Sequence, residues 1–508
     1  MSREQRNLSE VLSRLAIDLH ANKVSEIFGV VGDPITPLVG FAENLGIRYY
    51  GFRNEQSASF AASAVSFLRG VGIGVVMTVA GPGFTNAITG LANARMNGWP
   101  MLLVCPLVEE IGAFQSLSCQ RKCLEGIAEY FIYDGVAKCE EAIKLAYSVR
   151  GPVVMFVVHT SEAIVCEQAS LKNSVTHLHK STFLDHKFAV RQMYEKWTSP
   201  VRALLIIGAG AGMHGDVGRV HVPFICDPMG RGLIPESDPM CMSAARSLAM
   251  KSCTVAIFVC ASLDWMYVGK FANNCQFLFV KDFRDLSKLQ VDSDWVKMLQ
   301  KKVSENKSML VQKEQTLVPS ALTHLHAIQV IKDVLSKREL NDCLVISEGA
   351  NTMDVVRVGL DNIRYPRKRL DAGKWGCMGG ALGYTVAANS VCESSLTITI
   401  VGDSALGFSG MELETLVRYK CKCLIIVFNN GGIYTGAPDN ATAFTPHIRH
   451  DMLIKAFGGF GYRANSTNIF QVLNTAISNI NDNQAFPALV DIEIDPNSGN
   501  ISGSLSRL

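Results

Sequence analysis

Two apolar runs frame a glycine-rich turn and a helical segment in the last third of the chain. The first run, LTITIV, leads directly into Gly402-Asp403, and the second, CLIIVF, ends at Asn429-Asn430. Between them lies a segment with apolar residues at Met411, Leu413 and Leu416. Short continuous apolar runs on either side of a helical segment predict a strand–helix–strand unit. Two strands joined in this way run parallel in one sheet.

The turn and the loop of this unit carry the residues of a phosphate and metal site. Backbone N–H groups at a glycine-rich turn and a helix N-terminus favour a bound phosphate. Asp403 and Asn430 place two hard oxygen ligands at neighbouring strand ends, which suits Mg²⁺. A helix cap at Asp403 or a turn at Asn430 would explain either residue alone. Their combination, followed by Gly431-Gly432, favours the site.

Composition describes a chain with a large apolar core. Its 508 residues suffice for two to four domains, with 48% hydrophobic and 19% charged residues. A net charge of +2 gives no reason to expect nucleic acid as a partner. We expect no secretory signal and no membrane span. The 15 cysteines form no zinc motif, and residues such as Cys105, Cys260 and Cys423 are interpreted as small buried side chains in a reducing compartment.

Alternating strand and helix patterns predict an α/β fold with three doubly wound parallel-sheet domains. We place the first domain at 1–167, a polar connector at 168–198, a middle domain at 199–310 and a third domain at 325–508. The middle domain opens with VRALLIIGAGAG. Its glycines lack the full spacing of a dinucleotide motif, so a bare strand-to-helix turn is expected there.

The GD–NN pattern resembles the diphosphate-binding motif of thiamine-diphosphate (ThDP) enzymes. FRNEQSASFAASA (52–64) resembles the segment that carries their activating glutamate, and DPMGRGLIPESDP (227–239) resembles a middle-domain segment. SEGANTMD (347–354) and PRKRLDAGKWGCMGGALGY (366–384) resemble the branch of 2-hydroxyacyl-CoA lyases and oxalyl-CoA decarboxylases. The similarity covers nearly the whole chain outside 165–200, and it implies a pyrimidine-binding, a middle and a diphosphate-binding domain.

The resemblance assigns roles to individual residues. It implies that Glu55 is catalytic, because a carboxylate at N1′ of the aminopyrimidine activates the cofactor. A helix-start acid is the alternative for Glu55, and a core methionine is the alternative for Met378, the residue expected to hold the cofactor bent. Mg²⁺ is expected on Asp403, Asn430 and the Gly432 carbonyl. The full cofactor-binding set is Glu55, Gly376, Met378, Gly402, Asp403, Ser404, Ala405, Asn430 and Gly432.

The segments expected to face the substrate depart from the usual family pattern. The family usually has a Gln-Glu pair after GAF; here Gln115, a second catalytic candidate, is followed by Ser116. The end of the first domain is also shorter than in the family. The basic residues Arg364, Arg367, Lys368 and Arg369 suit either the phosphates of CoA or a solvated charged turn.

The implied activity is cleavage of a 2-hydroxyacyl-CoA to formyl-CoA and an aldehyde. The alternatives are an oxalyl-CoA decarboxylase, which yields formyl-CoA and carbon dioxide, and a catalytically silent paralogue that acts as a binding protein. An acyl-CoA substrate and a homodimer or homotetramer with shared active sites are implied partners. The final Ser506-Arg507-Leu508 is similar to the Ser-Lys-Leu address of the peroxisomal import receptor, or it arises by chance.

Overall fold

The computed structural model contains three parallel β-sheets. It describes residues 8–107, 116–158, 200–208, 210–211, 220–264, 266–280, 286, 289–316, 322–340, 343–360, 367–393, 395–437, 439–482 and 487–498. Every strand pairing within the three sheets is parallel, as the sequence predicts. Among the described residues, no helix combines the length and the apolar character needed to cross a membrane.

The first sheet has six described strands in the order β2-β1-β3-β4-β6-β5. Its strands are β1 Glu26–Gly29, β2 Arg48–Gly51, β3 Gly74–Met77, β4 Met101–Pro106, β5 Glu129–Tyr133 and β6 Pro152–Val157. The accompanying helices are α1 Leu8–Ala21, α2 Pro37–Asn44, α3 Glu55–Arg69, α4 Pro82–Asn97, α5 Leu117–Lys122 and α6 Cys139–Val149. Helix α1 buries one apolar face, which includes Val11, Leu12 and Leu15, because these residues recur at helical spacing.

The second sheet has four described strands in the order β10-β9-β7-β8. They are β7 Ala203–Ile207, β8 Phe224–Cys226, β9 Val255–Val259 and β10 Gln276–Val280, with helices α7 Arg246–Ser252 and α8 Ser293–Thr316. The chain turns at Gly208 after β7, where a side chain would collide with the Cys260 carbonyl. Most of the following residues to 219, and the connector at 168–198, lie outside the described residues.

The third sheet repeats the strand order of the first, as β12-β11-β13-β14-β16-β15. Its strands are β11 Leu344–Glu348, β12 Arg369–Leu370, β13 Thr397–Gly402, β14 Cys423–Asn429, β15 Phe460–Ala464 and β16 Ala488–Glu493. The helices are α9 His324–Lys337, α10 Ala350–Gly359, α11 Ala381–Val391, α12 Asp403–Leu406, α13 Glu412–Arg418, α14 His450–Ala456 and α15 Ile469–Asp482.

The helical segment between β13 and β14 differs in detail from the prediction. It divides into the short α12 and the separate α13, with Gly407 and Gly410 between them. Leu413 and Leu416 are fully buried as expected, but Met411 precedes α13 and is 52% exposed. Cys105 and Cys423 are buried as expected, whereas Cys260 is only half-buried.

Two compact units, with limits different from those of the sheets, divide the chain. Unit 1 contains the described residues within 1–179, 373–394 and 408–421, and unit 2 contains those within 180–372, 395–407 and 422–508. In unit 1, α11 packs against α3 so closely that a Cβ at Gly383 would lie 2.5 Å from the Ser57 carbonyl oxygen. Asn93 of α4 donates a 2.8 Å hydrogen bond to the Tyr384 hydroxyl. The three-domain limits drawn from the sequence stay a prediction.

Candidate active site

Glu55 is the first residue of α3 in unit 1. The Asn54 side chain caps this helix by accepting a 2.8 Å hydrogen bond from the Gln56 N–H. The Glu55 side chain is half-buried, and its Oε2 accepts a 3.0 Å hydrogen bond from Nδ2 of Asn86. Asn86 therefore fixes the orientation of the carboxylate.

The second oxygen of Glu55 faces a position without a side chain. A Cβ at Gly83 would lie 3.1 Å from Glu55 Oε1 and 2.8 Å from Val79 Cγ2. Close packing therefore requires glycine at 83. With Oε2 held by Asn86, Oε1 is the oxygen that would accept a hydrogen bond from a ligand nitrogen.

The turn that carries Met378 lies beside the start of α3, also in unit 1. Gly376 and Gly379 have positive φ values of 72° and 93°, which glycine adopts without strain. A Cβ at Gly379 would lie 3.0 Å from Phe408 Cβ and 3.8 Å from Gln56 Nε2. Met378 in this turn is half-buried.

Asp403 joins two turns at the carboxyl ends of β13 and β14 in unit 2. Its buried carboxylate accepts hydrogen bonds from Ser404 N at 2.6 Å, Gly431 N at 2.8 Å and Gly432 N at 3.2 Å. Burial raises the pKa of Asp403 to about 6, although these bonds and the charge of His450 act in the opposite direction. Burial therefore disfavours the ionised form, which a bound cation would stabilise.

Two buried amides converge on one carbonyl beside Asp403. Nδ2 of Asn430 and Nδ2 of Asn351 donate to the Tyr434 carbonyl oxygen at 3.1 and 3.3 Å. Oδ1 of Asn351 is buried without a hydrogen-bond partner. Sequence reasoning gave Asn351 no role, although it lies within SEGANTMD at the start of α10. These amides leave oxygen atoms available for a polar ligand or a cation.

The remaining predicted residues of unit 2 lie in the same two turns. Gly402 ends β13, and a Cβ there would be 3.3 Å from Thr352 Oγ1. Ser404 is half-buried and Ala405 is buried in α12. A Cβ at Gly432 would lie 2.7 Å from two carbonyl oxygens, so this turn requires glycine. The structure thus brings together the residues predicted for diphosphate and Mg²⁺.

The basic residues predicted to bind CoA or to form a charged turn differ in how deeply they are buried. Arg369 is buried and donates to the Leu360 and Val356 carbonyl oxygens at 2.6 and 3.2 Å, at the end of α10. The Val356 carbonyl also accepts the Leu360 N–H at 3.1 Å. Arg369 therefore binds main-chain oxygens at the end of this helix, and this buried arrangement does not fit a phosphate-binding role. Arg367 and Lys368 are half-buried, and Arg364 lies outside the described residues.

The substrate-facing candidates are only partly described. Gln115 and the terminal Ser506-Arg507-Leu508 lie outside the described residues. Ser116 precedes α5, and its Oγ lies 3.1 Å from Oγ of Ser118. In the part of the chain that the structure describes, no three His, Cys, Asp or Glu side chains form a metal-binding group. The Asp403 set contains one carboxylate with amide and backbone groups, so it is a different type of site.

The sequence of the chain is similar to those of known proteins over most of its length. The family model for the N-terminal TPP binding domain of thiamine pyrophosphate enzymes matches residues 7–113, and the model for their C-terminal TPP binding domain matches residues 348–492. A 2-hydroxyacyl-CoA lyase of Arabidopsis thaliana is 33% identical, over 95% of this chain and 95% of that protein. An oxalyl-CoA decarboxylase of Escherichia coli is 30% identical, over 99% and 98%. The human 2-hydroxyacyl-CoA lyase 1 is 30% identical, over 97% and 96%.

Proposed function

Because this chain belongs to the thiamine pyrophosphate (thiamine diphosphate) enzyme family, we propose that it is a Mg²⁺-dependent carbon–carbon lyase that cleaves a 2-hydroxyacyl-CoA to formyl-CoA and an aldehyde. The observation that carries the proposal is the Asp403 site, where a buried carboxylate, the Asn430 amide and the Gly432 turn meet. The similarity to lyases over nearly the full chain supports the choice of substrate.

The residues of unit 2 fit the diphosphate end of the cofactor. Asp403, the Asn430 amide oxygen and the Gly432 carbonyl supply the hard oxygens that Mg²⁺ prefers, and Mg²⁺ typically shares its ligands with substrate phosphates. The closely packed Gly402 turn, with Ser404 and Ala405, is assigned to the diphosphate oxygens. Asn351 Oδ1, buried without a partner, is an additional polar group at this site.

The residues of unit 1 fit the aminopyrimidine end. When bound, thiamine diphosphate supplies a nucleophilic thiazolium carbon that can add to a thioester carbonyl. Glu55 Oε1 would hold the proton at N1′, while Asn86 keeps the carboxylate oriented through Oε2. Gly376 and Met378 would line the cofactor from the glycine-rich turn.

The second candidate is an oxalyl-CoA decarboxylase. The 30% identity to the Escherichia coli enzyme and the Gly431-Gly432 pair favour it, and the cofactor residues serve both reactions equally. The altered segment at Gln115-Ser116 is the one argument for a silent binding protein. The presence of Glu55, Asp403 and Asn430 argues against silence, because a protein without turnover does not need this set.

Product analysis with the purified enzyme tests the proposal. The protein is loaded with thiamine diphosphate and Mg²⁺ and incubated separately with a long-chain 2-hydroxyacyl-CoA and with oxalyl-CoA, with Glu55→Gln as the inactive control. Formyl-CoA together with an aldehyde from the first substrate supports the lyase. Carbon dioxide from the second substrate alone supports the decarboxylase, and no product from either rejects both activities.

We further propose a homodimer or homotetramer in which the Glu55 and Asp403 of one active site come from different chains. Glu55→Gln and Asp403→Ala subunits, each inactive alone, are mixed in equal amounts and allowed to exchange. Random pairing predicts that activity returns to roughly a quarter of wild type, because half of the dimers are hybrids with one intact site. Hybrids without activity would show that each chain forms its own site.

The C-terminal tripeptide is proposed to direct the protein to peroxisomes through the import receptor. A receptor can bind Ser506-Arg507-Leu508 at a free C-terminus. An N-terminally tagged protein should enter peroxisomes, and deletion of the three residues should leave it in the cytosol. Import of the truncated protein would exclude this tail as the signal.

A further inference from the structure

A buried carboxylate in unit 1 contacts the turn immediately before Glu55. Glu412, the first residue of α13, is 1% exposed. Its Oε1 accepts hydrogen bonds from Asn54 N at 3.1 Å and Arg53 N at 3.3 Å, and its Oε2 accepts one of 2.6 Å from Thr415 Oγ1. Glu412 therefore binds the main chain of the two residues that precede the activating glutamate.

The other end of α13 holds the beginning of the same turn. Gly51, the last residue of β2, donates a 2.6 Å hydrogen bond from its N–H to the Tyr419 hydroxyl. Its carbonyl oxygen accepts a 2.8 Å hydrogen bond from Arg418 Nη2. The β2–α3 turn, residues 51–54, is thus fixed at both ends by side chains of one short helix and the residue after it.

A carboxylate at this buried position is explained by its hydrogen bonds to the β2–α3 turn. Burying a carboxylate is unfavourable unless hydrogen bonds replace its water. If position 412 served only to fill the core, an apolar residue would do so without the cost of burying a carboxylate. Burial raises the pKa of Glu412, while hydrogen bonds from Thr415, from the Arg53 and Asn54 main chain and from Ser57 act to lower it. The bonds to Arg53, Asn54 and Ser57 all lie within two residues of Glu55.

We propose that Glu412 is a positioning residue for catalysis, which holds the β2–α3 turn so that the Glu55 carboxylate keeps its direction toward the cofactor. The inference rests on the proposed role of Glu55. Glu412 itself need not touch the cofactor or the substrate. Small displacements of a reacting group reduce rates strongly, so a looser turn should reduce cofactor activation more than cofactor binding.

The test compares Glu412→Gln with wild type in the loaded enzyme. Glutamine keeps one acceptor oxygen but replaces the other with an NH2 donor and removes the negative charge, so it cannot accept all the hydrogen bonds that Glu412 accepts from Arg53, Asn54 and Thr415. We measure hydrogen–deuterium exchange at the thiazolium C2 of bound thiamine diphosphate, the dissociation constant of thiamine diphosphate, kcat and KM. The exchange rate and kcat should both fall on the order of tenfold, with the dissociation constant and KM within about twofold of wild type.

Two control variants separate a positioning role of Glu412 from the general effect of losing a carboxylate in unit 1. Glu140→Gln also changes a first-turn glutamate in unit 1, but Glu140 is exposed and pairs with Lys144, so all four quantities should stay at wild-type values. Glu55→Gln should abolish the accelerated exchange. If Glu55→Gln exchanges like wild type, the proposed role of Glu55 fails; if only Glu412→Gln does, the positioning role alone fails.

Thr415→Val is a milder variant that keeps the side-chain shape at a buried position. It removes the hydroxyl that donates to Glu412 Oε2, and it is expected to fold even if Glu412→Gln does not. A severalfold decrease of C2 exchange with unchanged cofactor affinity supports the inference. Exchange at the wild-type rate in a folded Thr415→Val, or an equal decrease in Glu140→Gln, overturns it.

Discussion

The first and third sheets have the same strand order but carry their proposed functional groups at different strand ends. In the first sheet the carboxylate of Glu55 follows the second strand, β2. In the third sheet Asp403 and Asn430 follow the third and fourth strands, β13 and β14. The strand order alone therefore does not determine which loops carry the chemistry; the side chains in each turn do.

In the first and third sheets, the helices that follow the second strand also differ in the side chains at their first residues. α3 begins at Asn54-Glu55, with a capping amide and a carboxylate. Its counterpart α11 begins after Gly379-Gly380, and the glycine at its N-cap has no side chain to form a capping hydrogen bond. These two helices pack on each other in unit 1, with Gly383 against Ser57. One member of the pair supplies a functional group and the other supplies a close backbone surface.

The largest effect is expected at the first sheet. Glu55→Gln removes the proposed proton partner of N1′ but keeps the size of the side chain, so kcat should fall roughly 1,000-fold, within the usual range for loss of a general acid–base group. Thiamine diphosphate affinity and thermal stability should remain close to wild type. Steady-state kinetics and calorimetric binding measure both quantities, and substantial turnover would refute the assignment.

At the third sheet the expected loss is in binding. Asp403→Ala removes a carboxylate expected to ligate Mg²⁺, so the affinity for thiamine diphosphate in Mg²⁺ should fall at least about 100-fold, since even loss of an outer-shell metal partner costs 10- to 100-fold. Titration with and without Mg²⁺ measures the change. An unchanged affinity in both conditions would contradict the metal role. The contrast between turnover at Glu55 and binding at Asp403 defines the functional difference of the two sheets.

Local sequence patterns predicted the three parallel sheets, because apolar runs and helical spacing are local signals. Local patterns also predicted a phosphate and metal site at Asp403 and Asn430, whereas Glu55 was assigned through the resemblance to a known family; these roles stay predictions. Glu412 escaped notice because a first-turn glutamate is common in helices, and its contact with Asn54 joins residues 358 positions apart in sequence. Arg369 resembled a solvated or phosphate-binding charge because its bonds to the end of α10 depend on the fold.

The packing of α3 on α11 can be weakened directly. Gly383→Ala would place a Cβ 2.5 Å from the Ser57 carbonyl oxygen, so it should destabilise unit 1 by roughly 1–3 kcal/mol and reduce turnover by displacing α3. Gly40→Ala in α2 is the matched control, because nothing lies within 4 Å of its new Cβ; it should be neutral or slightly stabilising. Thermal unfolding distinguishes the two, and equal midpoints would refute the close-packing argument.

The smallest effect concerns the helices that precede the two sheets. His324 at the start of α9 is buried, its Nδ1 lies 2.8 Å from Ser498 Oγ, and burial lowers its pKa to about 4. His20 in the last turn of α1 is exposed. Between the ordinary histidine pKa and pH 4, the unfolded chain binds a proton that the folded chain does not. Stability from neutral His324 is therefore present at high pH and is lost as the pH falls through this window.

Linkage gives a loss of about 1 kcal/mol at pH 6 and about 2 kcal/mol at pH 5, relative to pH 8. His324→Asn keeps an amide that can bond Ser498 but cannot be protonated, so this part of the pH dependence should disappear. His20→Asn, which changes an exposed histidine, is the control. Unfolding free energies at pH 5, 6 and 8 for the three proteins measure the difference. If His324→Asn loses stability with falling pH as steeply as wild type, burial of His324 does not cause the pH dependence. The histidines of α9 and α1 would then not differ in their effect on stability.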